Sequence, residues 1–275
     1  MFERRISFLL ACYINDSADA LKEALYSINE STKEIEVEVI VVCDGHVGEL
    51  INEALDEYKS WTSNIVIIHK LAKNLGLGLA LREGALLCSG DYIFRLDSDD
   101  ISIPSRVGTC LSYMDKNLGV SALGGSIKEF NFTVGDRSQL RKVPLDTKSI
   151  QRFSKLRNPM NHVTVCFRKS FFETVNYEHM PLYEDYFLWM NAIAKNIIIE
   201  NLDEVFVHVR VADGIGSRRS GLNYLLNDFN FAKAVYKRGY FGYIAFCKYL
   251  FLRIIVRLMP SKMITKFYKV FLRSR

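Results

Sequence analysis

The chain has 275 residues, 49% hydrophobic and 24% charged, enough for one large domain or two small ones. Five prolines and sixteen glycines exclude a collagen-like or long low-complexity chain. The net charge of +5 belongs to one end: residues 229–275 hold eleven Lys and Arg and no acid, while residues 1–228 hold 25 basic against 31 acidic residues, net −6, which argues against a nucleic-acid partner.

The six cysteines form no C-x-x-C pair and lie mostly in apolar runs, as buried thiols of a reducing compartment do. The opening MFERRISFLLACYIND has an apolar run too short for a signal peptide and ends in polar residues, so it reads as a first strand of a cytoplasmic protein.

Ile6 to Cys12 is an apolar run with one serine, the pattern of a strand buried on both faces. Asp16 or Ser17 can cap the next segment, where Leu21, Ala24, Leu25 and Ile28 recur at helical spacing. Val37 to Cys43 is a second strand ending in Asp44-Gly45, residues 47–60 a second helix, and Ile65 to Ile68 a third strand. A glycine-containing loop, Asn74 to Gly78, leads into a helix from Leu79 to Cys88, and Tyr92 to Leu96 is a fourth strand. Strands alternating with helices predict an α/β fold, a mostly parallel sheet flanked by helices. Ligands of such sheets bind beyond the carboxyl ends of the strands, where Asp16, Asp44 and Asp97 to Asp100 all fall.

Further on, the pattern predicts a helix over 104–116, a glycine turn at Gly124-Gly125, a loop from Gly135 to Asp146 and a strand over 162–168. An aromatic-rich helix runs from Tyr186 to Asn196 behind Glu184-Asp185, and Val205 to Val211 is a last strand.

DYIFRLDSDD, residues 91–100, ends in three aspartates that repel one another unless something positive lies among them. Two carboxylates with one spacer suit a hard divalent cation, Mn²⁺ or Mg²⁺, that shares oxygen ligands with a diphosphate. A solvated acidic turn capping the next helix is the plainer alternative.

ISFLLACY, EVIVVCDG and KNLGLGLALREGALLCSGDYIFRLDSDD, in that order, resemble the nucleotide-binding half of glycosyltransferase family 2, which has the Rossmann-like GT-A fold. The resemblance covers residues 5–130 well and 155–220 more loosely, and is nearest to a bacterial surface-polysaccharide subgroup (O-antigen, capsule, exopolysaccharide). It departs at Cys43-Asp44-Gly45-His46 and Ala11-Cys12-Tyr13-Ile14, where the family more often has Asp-Asp-Gly-Ser and Pro-Thr-Tyr-Asn. It implies that Ala11 and Tyr13 line a uracil pocket and that Asp44 accepts a hydrogen bond from the base. Asp97 would contact ribose and metal, with Ser98 beside it; Asp99 would ligate the metal, and Asp100 would orient the neighbouring loop. Asn74, Gly76 and Gly78 would shape the loop at the nucleotide; Arg82 would reach the nucleotide or its diphosphate, or be a surface arginine.

PLYEDYFLW, residues 181–189, resembles the family's Glu-Asp motif under the acceptor. Asp185 is then the base that takes the acceptor hydroxyl's proton, with Glu184 as runner-up or acceptor-side partner. Asn161 and His162 could touch the acceptor, or His162 could be structural; Arg210, Arg218 and Arg219 could close over the diphosphate, or be a solvated loop.

Residues 240–259 are strongly apolar but are interrupted by Lys248, Arg253 and Arg257, which argues against a membrane span. Beyond Pro260, Lys262, Lys266, Lys269 and Arg273 face Met263, Ile264, Phe267, Val270 and Phe271, the pattern of a basic amphipathic helix lying on an anionic membrane.

The expected whole is a GT-A domain over residues 1–220, divided near 125 into a nucleotide half and an acceptor half, with a helical, basic, membrane-associating tail over 221–275. The resemblance implies an inverting, metal-dependent transfer of a hexose from a UDP-sugar to a lipid-linked glycan, at the inner face of the cytoplasmic membrane. A nucleotidyltransferase is the alternative enzyme, but residues 11–20 lack the glycine and cation its triphosphate loop needs. A non-catalytic nucleotide-sugar binding module is the other alternative.

Overall fold

A computed structural model describes residues 5–32, 35–211 and 222–258. Its centre is Ile6–Cys12 (β1), buried along its whole length because ISFLLAC has no polar face to offer water. Glu38–Cys43 (β2) and Tyr92–Arg95 (β4) flank it in parallel, and Ile65–Lys70 (β3) pairs parallel with β2. Ala18–Thr32 (α1), Glu49–Trp61 (α2) and Leu77–Leu87 (α3) are the connections. Strand side chains alternate between two cores. Phe8, Leu10, Val39 and Val41 pack with Leu21, Leu25, Ile51 and Leu55 of α1 and α2, and with Val107 and Met114 of Arg106–Lys116 (α4). Two short helices, Thr147–Phe153 (α5) and Ser170–Thr174 (α6), precede Glu184–Ala194 (α7); Leu9, Ile40 and Val42 pack on the other face with Ala80 and Leu81 of α3 and with Leu188 and Trp189 of α7.

The remaining strands are Ile101–Ser102 (β5), Val120–Phe130 (β6), Leu140–Arg141 (β7), Cys166–Arg168 (β8) and Ile198–Arg210 (β9). The sheet order is β3-β2-β1-β4-β8-β6-β9-β5, with β7 on β6. The α/β architecture is as expected. Parallel pairing holds from β3 to β4 and between β6 and β9, whereas β8, β7 and β5 pair antiparallel. The chain leaves β1 towards β2 and returns on the other side at β4. The carboxyl ends of β1 and β4 therefore bound the crevice where such sheets bind ligands.

Three expectations for the second half are corrected. Gly124-Gly125 is not a turn but the middle of β6, where β9 approaches too closely for a side chain. A Cβ on Gly124 would lie 2.4 Å from Asn201 Oδ1, and one on Gly125 2.5 Å from the Phe206 ring. Residues 162–168 are a strand only from Cys166, because His162–Thr164 winds into a 3-10 turn in which Thr164 Oγ1 bonds back to the Asn161 carbonyl at 2.6 Å. The last strand begins at Ile198, its polar Asn201-Leu202-Asp203-Glu204 stretch accommodated by irregular register against β6.

Leu222–Lys237 (α8) and Tyr243–Leu258 (α9) are the described part of the tail. Their Phe231, Val235, Phe241 and Tyr249 form one buried cluster with Tyr183, Tyr186, Phe187 and Met190 at α7. Arg253 and Arg257, which interrupt the apolar pattern, turn inward to the fully buried Asp228. The basic helix expected beyond Pro260 lies outside the described residues. Five cysteines are buried and Cys247 is exposed, all as free thiols.

Candidate active site

One group of candidate residues is assembled by strand ends at the crevice. Ala11 lies buried at the top of β1, and Tyr13 follows it, exposed. Asp44, buried at the end of β2, accepts from the Leu75 amide at 2.7 Å on one oxygen and from the Gly76 amide at 2.9 Å on the other. Asn74 Nδ2 donates to the Asp44 carbonyl at 3.3 Å. Gly45 adopts φ +84°, and a Cβ there would meet the Asn74 amide at 2.6 Å, so the Asp-Gly pair and the Asn-x-Gly loop require each other. Each Asp44 oxygen retains a second lone pair for an incoming donor. Arg82 lies exposed on α3 beside Glu83, 3.4 Å away.

The acids after β4 meet Asp16 across the crevice. Ser98 Oγ donates to Asp16 Oδ2 at 2.7 Å, an oxygen that also accepts from the Tyr13 amide at 3.2 Å. Asp97 is paired with the guanidinium of Arg95, which is itself buried within β4 and also bonds the Leu96 carbonyl. Asp100 is buried and accepts from the Arg210 amide at 2.9 Å, tying the loop to β9. Arg210 also spans from the Asp99 carbonyl (3.2 Å) to Glu23 (2.5 Å). Asp99 is pushed up to about 6, first by desolvation and then by the charges of Asp97 and Asp16. Burial, and secondarily Asp97, raises Asp16 as well, and the same causes with Asp99 hold Asp100 far above the carboxylate range. Arg95 and Arg210 thus answer only part of the repulsion that the sequence poses. Among the described residues no three His, Cys, Asp or Glu side chains form a ready-made metal cage. Asp97 and Asp99 nonetheless fit a Mg²⁺ or Mn²⁺ ion, because hard carboxylate oxygens from one or two side chains suffice when a diphosphate and water complete the shell.

The other group of candidate residues centres on the first turn of α7. Asp185 accepts from Asn158 Nδ2 on one oxygen and from the Tyr186 amide at 2.7 Å on the other. Burial raises its pKa, the two hydrogen bonds and the charge of Arg141 oppose the rise, and the charge of Asp97 adds the smallest contribution. Glu184 is raised by burial and by Asp185, and its side chain lies against α3, where a Cβ on Gly78 would meet its Cγ at 2.7 Å. His162 engages Tyr177 Oη through Nε2 at 2.7 Å and packs edge-on to Trp189, leaving only Nδ1 for an acceptor. Burial, then Arg95, depresses its pKa, so it is neutral. Arg218 and Arg219 lie outside the described residues.

Sequence reasoning missed the Asp16–Ser98 bond, the Arg95–Asp97 pair and the Asn158 support of Asp185. A cation inside an otherwise apolar strand, IFRL, was a signal for the second. Nothing local marks Asn158, which is 27 residues from Asp185.

Residues 7–175 match the family described as Glycosyl transferase family 2. The chain belongs to glycosyltransferase family 2. Among family 2 relatives, it is 36% identical over 270 residues (98% of this chain, 97% of the relative) to the Escherichia coli UDP-Gal:alpha-D-GlcNAc-diphosphoundecaprenol beta-1,3-galactosyltransferase. It is 29% identical over 264 residues (96% and 97%) to the amylovoran biosynthesis glycosyltransferase AmsE of Erwinia amylovora. Its fold is shared with S. aureus TarS 1-349, solved in complex with UDP-GlcNAc, at TM-score 0.63 and 17% identity over 84% of this chain and 66% of that one. The Pyrobaculum calidifontis mannosyltransferase PcManGT, solved with GDP-Man and Mn²⁺, gives TM-score 0.64 and 12% identity over 90% and 68%. The protein is therefore a family 2 glycosyltransferase with the GT-A fold, and family membership sets aside the nucleotidyltransferase and binding-module alternatives.

Proposed function

We propose that this enzyme transfers a hexose, with inversion, from a UDP-sugar to a lipid-linked glycan during synthesis of a bacterial surface polysaccharide. The observation that carries the reading is the packing of α7 on α3: Glu184, next to Asp185, lies against Gly78, two residues after the Gly76 amide that Asp44 holds, so the first turn of α7 adjoins the loop at the strand ends. The E. coli relative, aligned over nearly the whole of both chains, makes UDP-galactose and an N-acetylglucosaminyl-diphosphate lipid the first donor and acceptor to test.

The nucleotide would lie between Ala11, Tyr13 and Asp44 and the loop at Asn74 and Gly76, with Ser98 and Asp97 at the ribose. Asp97 and Asp99 would hold the divalent ion, which when bound offsets charge on the departing diphosphate. Asp185, ionised, takes the proton of the acceptor hydroxyl. That oxygen bonds to the anomeric carbon from the face opposite UDP as the carbon–phosphate oxygen bond breaks, and UDP leaves with the electron pair. A single displacement with one base inverts the configuration. Arg82 and Arg218 are candidates for the diphosphate, and Glu184 and His162 Nδ1 for the acceptor.

No described helix is long and apolar enough to cross a membrane. The outer face of α9 nonetheless exposes Tyr243, Ile244, Phe251, Leu252, Ile254 and Ile255 around Lys248. This supports association with the inner membrane surface, where a lipid-linked acceptor resides. The experiment is a panel of UDP-sugars assayed for Mn²⁺-dependent UDP release, with and without the lipid acceptor. Release from at least one UDP-sugar, increased by acceptor, is expected; release only from other nucleotide sugars would contradict the donor assignment.

A further inference from the structure

The turn that presents Asp185 is strained. Leu182 adopts φ +70°, a left-handed conformation that a branched side chain avoids, and Tyr183 begins α7 with no side-chain cap. Such a conformation persists only where the surroundings over-determine it. Here the surroundings are the tail. The Tyr183 ring stacks on Phe231 of α8 at 4.9 Å, and its hydroxyl donates to Asp228, also on α8. Asp228 is fully buried, and it is held in turn from α9 by Arg257 Nε at 2.7 Å and Arg253 Nε at 3.5 Å. Arg257 Nη2 also donates to the Tyr183 hydroxyl at 3.2 Å. A buried carboxylate with two guanidinium partners is a costly fixture unless it sets geometry. It reaches the chain one residue before Glu184 and two before Asp185.

We propose that Asp228 is a positioning residue of the transfer reaction: through Tyr183 it fixes the turn that aims Asp185, so the tail helices are part of the catalytic apparatus. The proposal rests on Asp185 being the base. Tyr183→Phe deletes one oxygen from a ring that stays packed, and Asp228→Asn keeps an acceptor for Tyr183 while losing the charge that Arg253 and Arg257 grip. Turnover is read as UDP release from the fastest donor of the panel, using the full chain. Tyr183→Phe is expected to lower kcat by roughly tenfold or more, because small displacements of a reacting group are costly. Its KM for donor and its Kd for UDP stay within about twofold. Adding Asp228→Asn to Tyr183→Phe then lowers kcat by much less than Asp228→Asn alone, the mark of two residues acting as one. Should Asp228→Asn fail to fold, Tyr183→Phe decides by itself. A folded Tyr183→Phe enzyme with the kcat of the parent overturns the proposal, and a lowered melting temperature with unchanged kcat does so too, because it marks a purely structural contact. The base assignment fails separately: Asp185→Asn would then keep its turnover.

Discussion

Asp185 combines three features in one side chain: burial, two hydrogen bonds that favour its charged form, and a helix N-terminus beneath it. Asp185→Asn should lower kcat by about 10²–10⁴-fold, the range of general-base catalysis, with UDP affinity unchanged by calorimetry. Because burial raises its pKa above the ordinary 3.8, the acid limb of the kcat profile should lie above that value. As the proposed base, Asp185 acts in its ionised form, so kcat should fall as pH falls through the raised pKa. Asn158 favours the charged form and so holds the pKa down; Asn158→Ala should therefore move the acid limb to higher pH, and an unmoved limb would show that the bond does not act on the base. The sign for stability is opposite: a carboxyl raised in the folded state binds more protons there, so its contribution declines as pH rises through the same window.

At the scale of elements, the parallel half was legible because its signals are local. Continuous apolar runs marked β1 and β2, helical spacing marked α1, and acids at strand ends marked the crevice. The second half was less so, because contacts between distant segments set it. Gly124-Gly125 has the composition of a turn, and only the approach of Asn201 and Phe206 from β9 shows why a strand needs glycine there. Gly125→Ala should destabilise the fold by about 1–3 kcal/mol in denaturant unfolding, the usual effect of overpacking, since Phe206 is buried and has little room to retreat. The site divides likewise. Asp44, Asp97, Asp99 and Asp185 were named from motifs, whereas the contacts that support them form only in the fold: Ser98 to Asp16, Asn158 to Asp185 and Tyr183 to Asp228 span 27 to 82 residues, and Arg95 turns from within β4 to Asp97.

For the molecule as a whole, the tail reconciles two patterns. Arg253 and Arg257 point inward to Asp228, and the outer face of α9 keeps the apolar residues, so of the three cations that interrupt the apolar pattern only Lys248 lies on that face. Ile244 and Phe251 are 83% and 63% exposed, so Ile244→Glu with Phe251→Glu should leave the fold intact. The pair should reduce co-sedimentation with anionic vesicles several-fold, the unmodified protein binding less as salt rises. Equal sedimentation of both proteins would place the membrane contact elsewhere.

The crowded acids closing β4 repel one another, and Arg95 and Arg210 answer that repulsion only in part. The most direct test is titration calorimetry of UDP with and without Mn²⁺, on the parent chain and on Asp97→Asn/Asp99→Asn. Manganese should tighten UDP binding by about tenfold or more in the parent, or 1.4 kcal/mol and upward, and have no effect in the variant. A manganese effect of equal size in both proteins, or in neither, would contradict it.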